Sequence, residues 1–69
     1  MDFKLKAEFV ELDNMLKALE LVASGAEAKL QIQAGLVKVN GLVELRVRRK
    51  LRVQDIVEFG ENKVNILGD

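Results

Sequence analysis

The sequence has no cysteine, histidine, proline, tryptophan or tyrosine, and its only aromatic residues are three phenylalanines. Without cysteine there is no disulfide staple, and without cysteine or histidine the usual zinc, haem and iron–sulfur ligand sets are missing. No metal and no cofactor is therefore expected. No long uninterrupted apolar run occurs, so no membrane-spanning helix is expected, and Met1-Asp2-Phe3-Lys4 lacks the apolar core of a secretory signal. The expected location is cytoplasmic. With neither proline-rich linkers, repeats nor low-complexity tracts, residues 1–69 read as a single domain. That length is near the lower limit for an unaided hydrophobic core, so packing must supply the stability.

Net charge is also lacking: eleven basic residues balance eleven acidic ones. The distribution is uneven. Residues 1–23 hold three lysines against five acids, and residues 54–69 hold Lys63 against four acids. Between them, residues 24–53 hold seven cations (Lys29, Lys38, Arg46, Arg48, Arg49, Lys50 and Arg52) against Glu27 and Glu44. Screening limits each charge to roughly 8–10 Å in physiological salt, so this local clustering counts for more than the total.

Apolar alternation at Phe3, Leu5, Ala7 and Phe9 predicts a half-buried strand over 3–9. Leu12, Met15, Leu16 and Leu19 recur at helical spacing and predict a first helix ending near Leu21 or Val22. Ser24 followed by Glu27 fits a capping box, and Gly35 suits a left-handed C-terminal cap, giving a second helix over about 25–34. Ala28 and Ile32 should face its core, with Leu30 and Ala34 on another side. Asn40-Gly41 is a strong hairpin signal, since both residues tolerate positive φ. Over 42–53 the odd positions are mostly apolar and the even ones cationic from Arg46 to Arg52. An extended segment would thus carry four cations spaced about 7 Å apart. Residues 56–59 and 64–67, around Gly60-Glu61-Asn62, predict a closing hairpin. The fold class is α+β: two helices packed on a small, mainly antiparallel sheet of four to five strands.

The run Ser24-Gly25-Ala26-Glu27-Ala28-Lys29, then Ile32, Gly35, Val37-Lys38-Val39-Asn40-Gly41 and Arg48-Arg49-Lys50-Leu51-Arg52, resembles the RNA-binding domain named for ribosomal protein S-four, the alpha-L motif. Leu12 to Lys17 is similar to that family's first helix. The resemblance spans the whole chain and looks most like the small free-standing bacterial members, the YbcJ-like proteins. It implies binding of folded RNA, ribosomal or transfer RNA in class, by the two helices and the following loop. Carried over, it points to Ser24, Gly25 and Lys29 at the second helix, Lys38 and Asn40 at the hairpin, and Arg48, Arg49 and Lys50 in the basic tract. Gly25 stands where many members have arginine, and Gln54 where a glycine usually precedes the aspartate. Leu42, Leu45 and Val47 are more apolar than the pattern leads one to expect.

Read from the residues themselves, the basic tract, with Arg46 and Arg52, suits phosphate. Cations displace condensed counterions, and arginine forks onto phosphate oxygens. A charged edge strand that only prevents aggregation is the competing account. The three phenylalanines fall on apolar strand positions and read as core, which favours recognition of RNA shape and backbone over base stacking. Glu8, Glu11 and Asp13 lie close in sequence, but no nucleophile or phosphate loop accompanies them, and no enzyme is expected. Two other readings stand beside RNA binding. One is a protein-interaction module, in its simplest form a weak homodimer through Leu42, Leu45 and Val47. The other is a redesigned scaffold that keeps the fold without a function.

Overall fold

The computed structural model describes residues 1–69. Of the strand expected over 3–9, only Phe3 and Lys4 are formed, and a second short strand begins just beyond it. β1 (Asp2–Lys4) is followed by a bend over residues 6–8 and then by β2 (Val10–Glu11). The two pieces serve different sheets: β1 pairs in parallel with the last strand, and β2 pairs antiparallel in a separate ribbon. No straight strand could do both. Leu5 is buried, Ala7 is exposed, and inward positions resume at Val10 and Leu12, so the inward parity changes from odd to even across the bend.

α1 (Leu12–Ala18) buries Leu12, Met15 and Leu16 and stops earlier than its apolar spacing suggests. Glu20 takes a left-handed φ of 58°, and the amides of Glu20 and Leu21 donate to the carbonyls of Lys17 and Leu16. This is the hydrogen-bond pattern of a Schellman cap without its usual glycine. α2 (Gly25–Gln33) ends in the same way, but with Gly35 at φ 79° and Leu36 donating to Gln31. At its start Ser24 Oγ accepts from the Glu27 amide at 3.1 Å. The Glu27 carboxylate accepts in turn from the Ala23 amide, one residue earlier than a standard capping box. Ala28 and Ile32 are buried and Leu30 and Ala34 exposed, as their spacing predicts.

β3 (Val37–Val39) and β4 (Leu42–Val43) form the hairpin around Asn40-Gly41, whose φ values of 53° and 84° fit a type I′ turn. The single extended strand expected over 42–53 is not formed. Residues 44–49 are irregular, with a turn closed by the Arg49 amide donating to the Arg46 carbonyl, and β5 (Lys50–Leu51) pairs with β2. β6 (Ile56–Phe59) and β7 (Asn62–Leu67) close the fold around Gly60-Glu61. The main sheet runs β1-β7-β6-β3-β4, antiparallel except for β1 against β7. Both helices pack onto one core with Val37, Val39, Leu51, Val57, Val64 and Ile66. Each fully buried large aliphatic side chain contributes roughly 1.5–3 kcal/mol, and this core stands in for the absent staples.

Candidate nucleic-acid interface

The segment between β4 and β5 is held at three places. Its Glu44 amide donates to the Val37 carbonyl at 2.9 Å. Its Val47 and Arg49 carbonyls accept from the amides of Asp13 and Leu12, the first donors of α1, at 3.1 and 2.8 Å. The loop thus satisfies helix amides that would otherwise need water, and Arg48 projects from between the two anchored carbonyls.

The third fastening is Glu44 itself, the one buried charged residue of the chain. Arg46 forks onto it, with Nε and Nη2 donating to the two carboxylate oxygens at 3.0 Å each, and the Arg46 amide donates as well. Arg49 Nη1 donates at 2.6 Å. The Arg46 hydrogen bond, aided by the Arg49 bond, outweighs the upward push of burial and holds the Glu44 carboxyl at about 2. In the sequence Glu44 stands out only as one of two acids in the basic segment. Its spacing, two and five residues before arginines, does not by itself mark it as buried.

Arg46, Arg48, Arg49, Lys50 and Arg52 line one open depression with Asp55, and no apolar side chain contributes to it. Parity predicts Arg49 on the apolar side of a strand; the turn at 46–49 instead brings it to this cluster, half-buried. Arg48 also lines an adjoining hollow with Gly25, Ala26 and Lys29, beside Asp13 and Val47. The tract and the start of α2 therefore form a continuous face. Ser24 sits at its margin with its hydroxyl engaged by Glu27. A Cβ on Gly25 would meet only Lys17 Cδ, at 4.0 Å, so the arginine of other members has room there.

Two expected positions stand apart. Lys38 lies on the outward face of the main sheet, in cross-strand register with Glu58, which faces Lys63 in turn. Asn40 is occupied structurally: its Nδ2 donates to Asp55 Oδ1 at 2.9 Å and its Oδ1 accepts from the Ile56 amide at 2.8 Å. Asp55 also accepts from the Arg52 amide and closes the turn Arg52–Asp55, where Gln54 has φ 79°. That is the left-handed third position of a type II turn, which explains the glycine expected there.

The phenylalanines divide. Phe3 and Phe59 pack against the core, but Phe9 does not. Its ring lies on the outside of the β2–β5 ribbon, with Lys50 Nζ 4.9 Å and Arg52 Cζ 5.5 Å from its centroid. The expectation that all three are core fails at Phe9 because the bend after Leu5 reverses the facing of the chain.

Two helices on a mainly antiparallel sheet, with a cationic loop seated on the first helix, define an α+β domain of alpha-L architecture. Residues 3–67 match the model of the S4 domain, and the chain belongs to that family. It is similar to the "Putative RNA-binding protein YbcJ" of Escherichia coli (strain K12) and to the "Uncharacterized protein YbcJ" of Shigella flexneri. Each is 40% identical over 62 residues, covering 90% of this chain and 89% of the relative. The solution structure of Escherichia coli YbcJ, described as revealing an alpha-L motif involved in RNA-binding, superposes with a TM-score of 0.73 at 40% identity. The match covers 96% of this chain and 85% of that one.

Proposed function

We propose that the chain is an RNA-binding module that grips folded RNA, ribosomal or transfer RNA in class, mainly through phosphates. The observation that carries this reading is the depression lined by five cations and one acid, without apolar side chains. Internal pairing does not quench it. Glu44 faces only Arg46 and Arg49, and Arg46 keeps 73% of its side chain exposed. Arg52 has a distant partner in Glu8 at 3.7 Å, and no ion pair engages Arg48 or Lys50. Membership of the S4 family and the RNA-binding description of YbcJ support the same reading. In it, Arg48, Lys50 and Arg52 are the principal contacts, Lys29 and the Ser24-Gly25 corner extend them, and Arg46 and Arg49 contribute while fastened to Glu44. Lys38 and Asn40 drop to peripheral and structural parts. The reading assigns residues 1–69 to one cytoplasmic, ribosome-associated binding domain, with no catalytic step.

Binding to a folded RNA hairpin, its unpaired strand and duplex DNA across a salt series tests this. Affinity should favour the hairpin and fall steeply with salt. The double variant Arg48→Glu/Lys50→Glu should lose on the order of a hundredfold and flatten the salt slope by about two. Arg49 is left intact in this test because reversing it would set a second carboxylate against Glu44. Retained affinity at matched salt would sink the proposal.

One observation favours a second reading. Leu42 and Leu45 are 74% and 58% exposed, at and just beyond edge strand β4, whereas Val47 packs against the core. A weak homodimer through that edge predicts a concentration-dependent mass in sedimentation, and a monomer at high concentration counts against it.

A further inference from the structure

The outward face of the β2–β5 ribbon sets an aromatic ring, which the phosphate-gripping account leaves unused, beside two of its cations. In the antiparallel register Val10 faces Leu51 and Glu11 faces Lys50, so one further step sets Phe9 opposite Arg52. Val10 and Leu51 turn toward the core, which leaves Phe9, Glu11, Lys50 and Arg52 on the other side. Phe9 is the only aromatic ring outside the core packing, and both its cationic neighbours also line the arginine depression. Glu8, next to Phe9 in sequence, lies 3.7 Å from Arg52, and Glu11 accepts from Asn14 Nδ2.

The ring is half-buried while Lys50 and Arg52 are exposed, and a charge-assisted bond to phosphate is stronger than their contact with the ring, so a phosphate can draw them off it. Base–aromatic stacking beside a charged groove is how proteins hold unpaired nucleotides, because every base has a π-face. We propose that this ribbon face is a subsite for one unpaired nucleotide, its base stacked on Phe9 and its phosphate held by Lys50 and Arg52. The subsite rests on the RNA-binding reading above and sharpens it. The preferred ligand is folded RNA with an extruded nucleotide next to a paired stem, not an uninterrupted duplex.

The test compares two RNA hairpins, identical except for a single-nucleotide bulge, with the unaltered protein, Phe9→Leu and Phe9→Trp. The unaltered protein should prefer the bulged hairpin by on the order of tenfold. Phe9→Leu should abolish that preference while leaving affinity for the uninterrupted stem unchanged. Phe9→Trp should keep it, and its indole, the sole tryptophan of the chain, should be quenched by the bulged RNA only. An abasic bulge read with the unaltered protein should lose the preference too, which keeps the test independent of how Phe9→Leu folds. Equal loss on both hairpins would make Phe9 a mere support for the two cations and would overturn the subsite. So would the absence of any bulge preference. Failure of the unaltered protein to bind either hairpin would overturn the RNA reading itself.

Discussion

Two surfaces of this small molecule carry lysine and arginine, and they use them in opposite ways. On the outward face of the main sheet, Lys38, Glu58 and Lys63 follow one another across three strands with alternating sign. Opposite charges stand in register there without closing into ion pairs, and the face is merely well solvated. Over residues 46–52 five cations converge, and their one buried counter-charge is spent on fixing the loop. Cation count alone would rank Lys38 with Arg48. Their surroundings separate them: Lys38 has Glu58 in register beside it, whereas Arg48 stands among four further cations whose fields add to its own.

Replacing Glu44 should disturb this contrast most. Glu44→Gln removes the charge-assisted bonds of two arginines and should destabilise the chain by roughly 1–3 kcal/mol, with the loop near α1 losing amide protection first. Its carboxyl is depressed from 4.5 to about 2 on folding. Its stabilisation is therefore fully present above about pH 4.5 and is lost as pH falls through 2. Melting temperatures of the two proteins should converge over that window, and a constant gap would show that Glu44 acts by shape alone. Next in size, Arg48→Glu should weaken binding to a folded RNA on the order of tenfold, whereas Lys38→Glu should change it less than twofold. Equal losses would erase the distinction between the two surfaces. The smallest effect is at their junction, between β5 and β6. Gln54→Gly relieves the left-handed backbone there and should raise stability by about 0.5–1 kcal/mol in chemical denaturation.

Where a residue type reports directly on backbone geometry, the sequence could be read well. Asn40-Gly41 announces its hairpin, Ser24 its helix start and Gly35 the stop of α2. The same stop at the end of α1 was invisible, because Glu20 occupies the left-handed position and Leu21 and Val22 continue the apolar spacing beyond it. Parity failed twice for a related reason. Over 3–9 and 42–53 the chain changes sheets, and alternation in sequence carries no mark of where facing reverses. The basic character of the site was plain from composition. Its internal anchor was not, since a buried carboxylate can be recognised only once a turn brings Arg46 and Arg49 to it. The docking of the Val47 and Arg49 carbonyls on α1 involves backbone alone and leaves no trace in side-chain identity.

The pairing of β1 with β7 has a further consequence for how the chain comes into being. The Met1 amino group donates to the Lys63 carbonyl and the Asn65 amide to the Met1 carbonyl, so the first strand made has its only sheet neighbour in the last. Such long-separation contacts close slowly, after the local ones. During synthesis the helices and the Asn40-Gly41 hairpin can form from local sequence, while β1 and β6 wait with open edges until residues 62–67 emerge. A message cut short before that point would yield a fragment with unpaired strands, a species prone to aggregate.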